Sequence, residues 1–81
     1  MNGRYENTID QYVPEGVELT ETQQEYLKVI TGLSRVKEKV RMIDVARLLN
    51  KPTGTVNSAM KILSAKGILK TDHSGEITLL G

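Results

Sequence analysis

The stretch Lys51-Pro52-Thr53-Gly54-Thr55-Val56-Asn57-Ser58-Ala59-Met60-Lys61 (KPTGTVNSAMK) decides how this chain is read. Two helix-unfriendly residues, Pro52 and Gly54, stand near its start. Then Val56, Ala59, Met60 and, just beyond, Leu63 recur at helical spacing. The remaining positions, Thr55, Asn57, Ser58 and Lys61, make the other side small and polar. Thr and Asn are poor interior helix formers beside Glu, Lys or Ala, which an ordinary solvated face uses more often. Pro52 disfavours helical geometry at Lys51, so a preceding helix must stop there. Thr53 is the expected N-cap of a helix over about 54–66. Gly67 supplies a left-handed C-terminal cap.

Working outward, Val45, Ala46 and Leu49 share one face of a second helix that precedes the turn. Before it, SRVKEKVRM is basic and partly extended, a loop with a short strand near Val40. Further back, LTETQQEYLKVITGL is a first helix over about 20–34. Thr20 with Gln23 forms a capping box and Leu19 a hydrophobic staple. Tyr26, Ile30 and Leu33 lie at helical spacing, flanked by Leu27 and Val29. In the other direction, ILKT and EITL flank Asp72-His73-Ser74-Gly75, the pattern of a β-hairpin with a turn-rich tip. Residues 1–18 show no sustained apolar period and are punctuated by Pro14 and Gly16. They are expected to form an extended arm that is flexible or docked on a partner through Tyr5, Ile9, Tyr12 and Val13. Residues 19–81 form the domain.

The order helix, short strand, helix, tight turn, helix, hairpin is mainly α with a small β-hairpin. It is the layout of a winged helix-turn-helix, three helices plus a two- or three-stranded wing. In that architecture the third helix lies in the major groove of double-stranded DNA. A slim polar face lets such a helix sit deep, and Thr, Ser and Asn bond phosphates or base edges. Lys61 is one turn beyond Asn57 and lies on the same face. The expected DNA-contacting residues are Arg41, Lys51, Thr53, Thr55, Asn57, Ser58 and Lys61, with Lys70, His73 and Ser74 on the wing. Arg41 has an alternative partner in Asp44. The polar face has a bland reading too, as a solvated surface.

Composition agrees. A chain of 81 residues is one domain with no room for a deep catalytic cavity. Hydrophobic residues make up 38%, without Trp or Phe, so aliphatic side chains and Met must fill the core. Cysteine is absent, which excludes a disulfide framework and fits a cytoplasmic protein. No apolar run is long enough to span a membrane, and MNGRYENTIDQYVPEG lacks a signal-peptide core. No phosphate-binding loop or nucleophile–base arrangement is present, so an enzyme is not expected. The formal charge of +1 is uneven. Residues 1–31 carry two basic and six acidic side chains, for −4, and residues 32–81 carry nine and four, for +5. A cationic half suits a polyanion.

Three pieces carry a family resemblance: TETQQEYLKVI, VRMIDVARLLNKPTGTVNSAMKILSAKGILK and GEITLLG. In order and spacing they resemble the N-terminal domain of the diphtheria-toxin-repressor family, over about residues 19–81. The resemblance implies a DNA-binding transcriptional repressor of the iron- and manganese-dependent kind. It departs at Lys51, where the family usually has an apolar residue, and in the wording Pro-Thr-Gly-Thr. Glu25 falls where the family often supplies a metal ligand. The remaining ligands and the dimerisation helices lie beyond the wing in that family. No metal cofactor is therefore expected in this chain, and Fe²⁺ or Mn²⁺ only with a further domain. Glu6, Asp10 and Glu15 are the nearest candidates for additional carboxylates. A homodimer would form through the N-terminal arm or such a domain. His73 and Glu76 supply at most two donors. The alternative to DNA binding is a winged helix that faces a protein partner.

Overall fold

The computed structural model describes residues 7–80. The elements are α1 (Asn7–Asp10), α2 (Glu21–Val36), β1 (Val40–Arg41), α3 (Met42–Leu49), α4 (Thr53–Ala65), β2 (Leu69–Thr71) and β3 (Glu76–Leu79). The three longer helices are those read from the sequence as first, second and third. The strands form one antiparallel sheet in the order β1-β3-β2.

Each long helix starts and stops for a local reason. At α2 the capping box is complete: the Gln23 N–H donates to Thr20 Oγ1 (3.1 Å) and the Thr20 N–H to Gln23 Oε1 (3.0 Å). The helix buries Tyr26, Leu27 and Ile30, and runs to Val36, past the expected end near residue 34. α3 buries Val45 and Ala46 and ends at Asn50, whose φ of 55° is left-handed. The expected N-cap of α4 is corrected by the structure. Thr53 is the first helical residue, and Pro52 is the cap, with no side-chain cap bond. The Pro52 carbonyl accepts from the Thr55 (3.0 Å) and Val56 (3.2 Å) N–H groups. Proline is suited to this place because an N–H here would have no helical acceptor.

The C-terminus of α4 is closed by two bonds of a Schellman motif. The Gly67 N–H donates to Ser64 O (3.0 Å) and the Ile68 N–H to Leu63 O (3.1 Å). Gly67 has φ 78°, a conformation in which a side chain would be strained. The flanking Leu63 and Ile68 are both fully buried. The hairpin pairs Leu69 with Leu79, Lys70 with Thr78 and Thr71 with Ile77. β1 adds on the far side of β3, Val40 opposite Ile77 and Arg41 opposite Glu76. Buried Val40, Leu69 and Ile77 bind the sheet to the helices.

The described part of the expected extended arm is folded. Asn7–Asp10 is a helical turn packed on α2. Ile9 is 0% exposed and Val13 9%, both within the same core as α2 and α4. Turn bonds continue the segment, from the Tyr12 N–H to Ile9 O (2.9 Å) and from the Val17 N–H to Pro14 O (3.1 Å). The reason is size: a three-helix core of aliphatic residues is small, and two more apolar side chains close it over α2. Ile9 and Val13 are thus spent inside their own chain and are not available to pair two copies. Tyr5 lies outside the described residues. Among the described residues no helix is long and apolar enough to cross a membrane.

Ile9→Ala should therefore destabilise the protein by about 2–5 kcal/mol, the usual cost of emptying a buried Ile site. Urea unfolding of the full chain measures it. An arm that merely trailed from the domain would leave the midpoint where it is.

Candidate nucleic-acid interface

α4 is held by its buried stripe of Val56, Met60 and Leu63. A helix turns by about 100° per residue, so the opposite side is centred on Gly54, Ser58, Lys61 and Ala65. Thr55 and Ile62 lie along one edge of that outer side, and Asn57 and Ser64 along the other. All of these residues are exposed. The sequence reading placed Thr55, Asn57, Ser58 and Lys61 on one face. At about 100° per residue they spread across it, Thr55 toward one edge and Asn57 toward the other, with Ser58 and Lys61 between. Ser58 Oγ donates to Gly54 O (3.2 Å), so its proton is engaged within the helix and its oxygen faces outward as an acceptor.

Lys51, in the turn before α4, and Arg41, at the start of α3, are also exposed, as are Thr53, Lys70, His73 and Ser74. From Val45 to Thr71 the chain contains no Asp or Glu but carries Arg47, Lys51, Lys61, Lys66 and Lys70. The whole turn–helix–strand segment is thus purely cationic.

Sequence reasoning missed Lys37, Lys39 and Arg47. With Arg41 they line a surface groove that also holds Glu38, Ile43 and Asp44. The residues come from the loop after α2, from β1 and from two turns of α3, so only folding gathers them. Asp44 is occupied locally. Its Oδ2 accepts the Arg41 backbone N–H (3.0 Å) and its Oδ1 lies 3.6 Å from Lys37 Nζ. The Arg41 amide bond, aided by the Lys37 and Arg47 charges, holds the Asp44 carboxyl below its ordinary range. Asp44 therefore engages the Arg41 backbone and leaves the guanidinium out of the bond.

The hairpin tip is organised around Asp72. Its Oδ1 accepts from Ser74 Oγ (2.7 Å), the Ser74 N–H (2.9 Å) and the Glu76 N–H (3.0 Å). The Ser74 hydroxyl first, then the Glu76 amide, lowers the Asp72 pKa. The Ser74 hydroxyl proton thus holds the tip together. Lys70 lines a groove with Thr71, Asp72, Glu76 and Thr78. With His73 neutral, residues 70–79 carry one cation and two carboxylates.

Glu25 is exposed on α2 and shares a shallow surface with Glu21, Thr22, Gln24 and Lys28. Two carboxylates beside an ammonium group do not suit a transition-metal ion, which needs several converging donors. Among the described residues no three His, Asp or Glu side chains converge. Glu6 lies outside them, as does Gly81, the last residue of the family-like ITLLG. No family model matches this chain, and no curated protein or solved structure matches it either.

Two measurements follow from this geometry. A carboxyl whose folded pKa is depressed contributes stability above its unfolded value and loses it as pH falls through the folded one. The amide resonances of Ser74 and Glu76 should therefore titrate with an apparent pKa below 3.8, the ordinary Asp value. A midpoint at or above it would mean that the tip bonds do not form in solution. Adding Mn²⁺ or Fe²⁺ should leave the melting temperature of the 81-residue chain unchanged; a rise would mean that Glu25 has donors beyond Glu21.

Proposed function

We propose that this chain is a winged-helix DNA-binding module of a transcriptional regulator. In this reading α3 and α4 are the helix-turn-helix, α4 enters the major groove, and the β2–β3 hairpin is the wing. The observation that carries it is the outer side of α4: exposed, built from Gly54, Thr55, Asn57 and Ser58 with Lys61, and set within a segment free of acidic residues. A helix of this kind approaches a polyanion closely and meets no repulsion from its own face. Recognition helices contact base edges mainly through their N-terminal residues, and that is where the small polar side chains are.

Thr55 and Asn57 are assigned to bases or adjacent phosphates, with Asn57 the strongest base reader because its amide both donates and accepts, and Ser58, whose outward oxygen accepts, to a base amino group. Thr53, Lys51, Arg41 and Lys61 are assigned to phosphates. The wing contributes Lys70 and His73, weakened by Asp72 and Glu76. The resemblance to the diphtheria-toxin-repressor family supports repression as the regulatory outcome and a bacterial cytoplasm as the place. It does not bring a metal to the described residues. A second reading, a winged helix facing a protein, has one observation in its favour: Ile62, on the edge of the outer side, is 44% exposed.

Anisotropy with labelled duplexes tests the choice. Binding should fall steeply with salt. Asn57→Ala should reduce discrimination between a selected and a scrambled duplex by on the order of 1–3 kcal/mol while leaving the melting temperature in place. Ser58→Ala should cost less, because its hydroxyl proton is already bonded to Gly54. Lys51→Ala and Lys61→Ala should weaken both duplexes alike and lower the salt slope by roughly one unit each. A chain that shows no salt-dependent duplex binding, yet loses a protein partner on Ile62→Ala, would establish the second reading instead.

A further inference from the structure

The groove between the α2–β1 loop and α3 shares only Arg41 with the contacts assigned above, yet it gathers several cations on one concave surface. Lys37, Lys39, Arg41 and Arg47 line it, against Glu38 and Asp44. Its one contact-distance ion pair there is Lys37 with Asp44, and Asp44 is further occupied by the Arg41 amide. Lys39, Arg41 and Arg47 are exposed and make no ion pair with the described residues. Three like charges gathered around one concave surface repel each other, and an anion would relieve that repulsion. The cations are spread over three elements, so they present a track rather than a single point.

We infer that this groove is a second nucleic-acid contact, which takes the phosphodiester backbone of the duplex flanking the segment that α4 reads. The inference rests on the DNA-binding reading above. Ile43 favours a nucleic-acid strand over a free anion: it lines the same groove and is 43% exposed. An isolated phosphate has no use for an apolar side chain, whereas a backbone alternates charged phosphates with apolar deoxyribose faces. Arg47 and Lys39 offer the donors, and the guanidinium can bind one phosphate through two parallel bonds. Such contacts position the protein and carry no sequence information.

The test uses the full chain, its Lys39→Ala/Arg47→Ala double variant, and duplexes with the α4 site central or at one end. Salt-dependent binding of the wild type is measured first. Its absence would overturn the DNA-binding reading and this inference together. Given binding, the double variant should lower the salt slope by about two units, roughly 0.9 per phosphate contact. It should weaken selected and scrambled duplexes equally. The advantage of a duplex with flanking base pairs over one that stops at the α4 site should disappear. An unchanged slope with wild-type binding intact would overturn the groove contact alone. A poly-glutamate peptide that binds as tightly as duplex, and loses affinity on the same substitutions, would assign the groove to an acidic protein segment and overturn it as well.

Discussion

The handover at Asn50 is the constraint on which the remaining structure depends. Only Asn50, Lys51 and Pro52 separate α3 from α4. So short a link can turn the chain only if one residue adopts left-handed geometry, and Asn50 does so at φ 55°. Such a conformation costs most side chains about 1–2 kcal/mol, and Asn tolerates it better than any other residue except Gly. The Lys51 N–H then closes back on Ala46 O (3.0 Å). Pro52 sets the next backbone angle by its ring and opens α4 directly. Together they bring Val56, Met60 and Leu63 onto the side where Val45 and Ala46 wait. The outward direction of Gly54, Ser58 and Lys61 is a consequence. A looser link would leave α4 free to roll, and its polar side would face no fixed direction.

The other end of α4 is held by a different device. Lys66, just past the helix, donates from its ammonium group to the Glu18 carbonyl and to Gln23 Oε1 (2.9 Å). That Gln23 oxygen also accepts the Thr20 N–H, so the capping box of α2 doubles as a docking point for α4. Bonds from a charged donor are stronger than neutral ones, and here they join residues far apart in sequence. The segment leading into α2 runs beside the same junction, with Pro14 near Gly67. The folded N-terminal segment therefore belongs to the support of α4. A helix fixed at both ends presents its outer side with little freedom to lose on binding, which favours affinity without further contacts.

What the sequence reveals here depends on how local each signal is. The Thr20–Gln23 box, the stop before Pro52, Gly67 and the turn-rich hairpin tip all act within a few residues, and each is found where the pattern places it. α1 was illegible because a single turn offers no period, and Ile9 and Val13 become core residues only when α2 is already in place. Thr53 was read as a cap on residue preference, but the carbonyl geometry of Pro52 settles the start of α4 one residue earlier. The role of Ser74 at the hairpin tip is hidden because an Asp-x-Ser sequence shows a turn without showing where the hydroxyl proton goes. Lys37, Lys39 and Arg47 lie in a loop and on a helix face that look ordinary in isolation. Their convergence is a product of the fold, in which α3 follows β1 directly and packs on α2.

For the DNA-binding function proposed above, a formal charge of +1 would suggest weak attraction, but net charge is the wrong measure of it. The acidic residues lie chiefly in the segment before α2 and in its first turns. The Lys66–Gln23 bond places the start of α2 beside the C-terminal end of α4. α4 has thirteen residues, which at 1.5 Å each separate its two ends by about 20 Å. The screening length at physiological salt is about 8 Å. Glu18 and Glu21 thus lie toward the end of α4 opposite to Thr53 and Lys51, and screening weakens their effect on a phosphate at the N-terminal end. Two of the four carboxylates after residue 31 are engaged: Asp44 with the Arg41 amide and Lys37, Asp72 with three donors of its own turn. Engagement does not remove their charge, but it holds each one in place beside a donor instead of letting it turn toward the ligand. The local field at the start of α4 is then set by Arg47, Lys51 and Lys61 together with the positive end of the helix dipole, all of one sign. The acidic half costs this face little, and it keeps the overall charge low enough to spare the fold the self-repulsion that a uniformly basic chain of this size would carry.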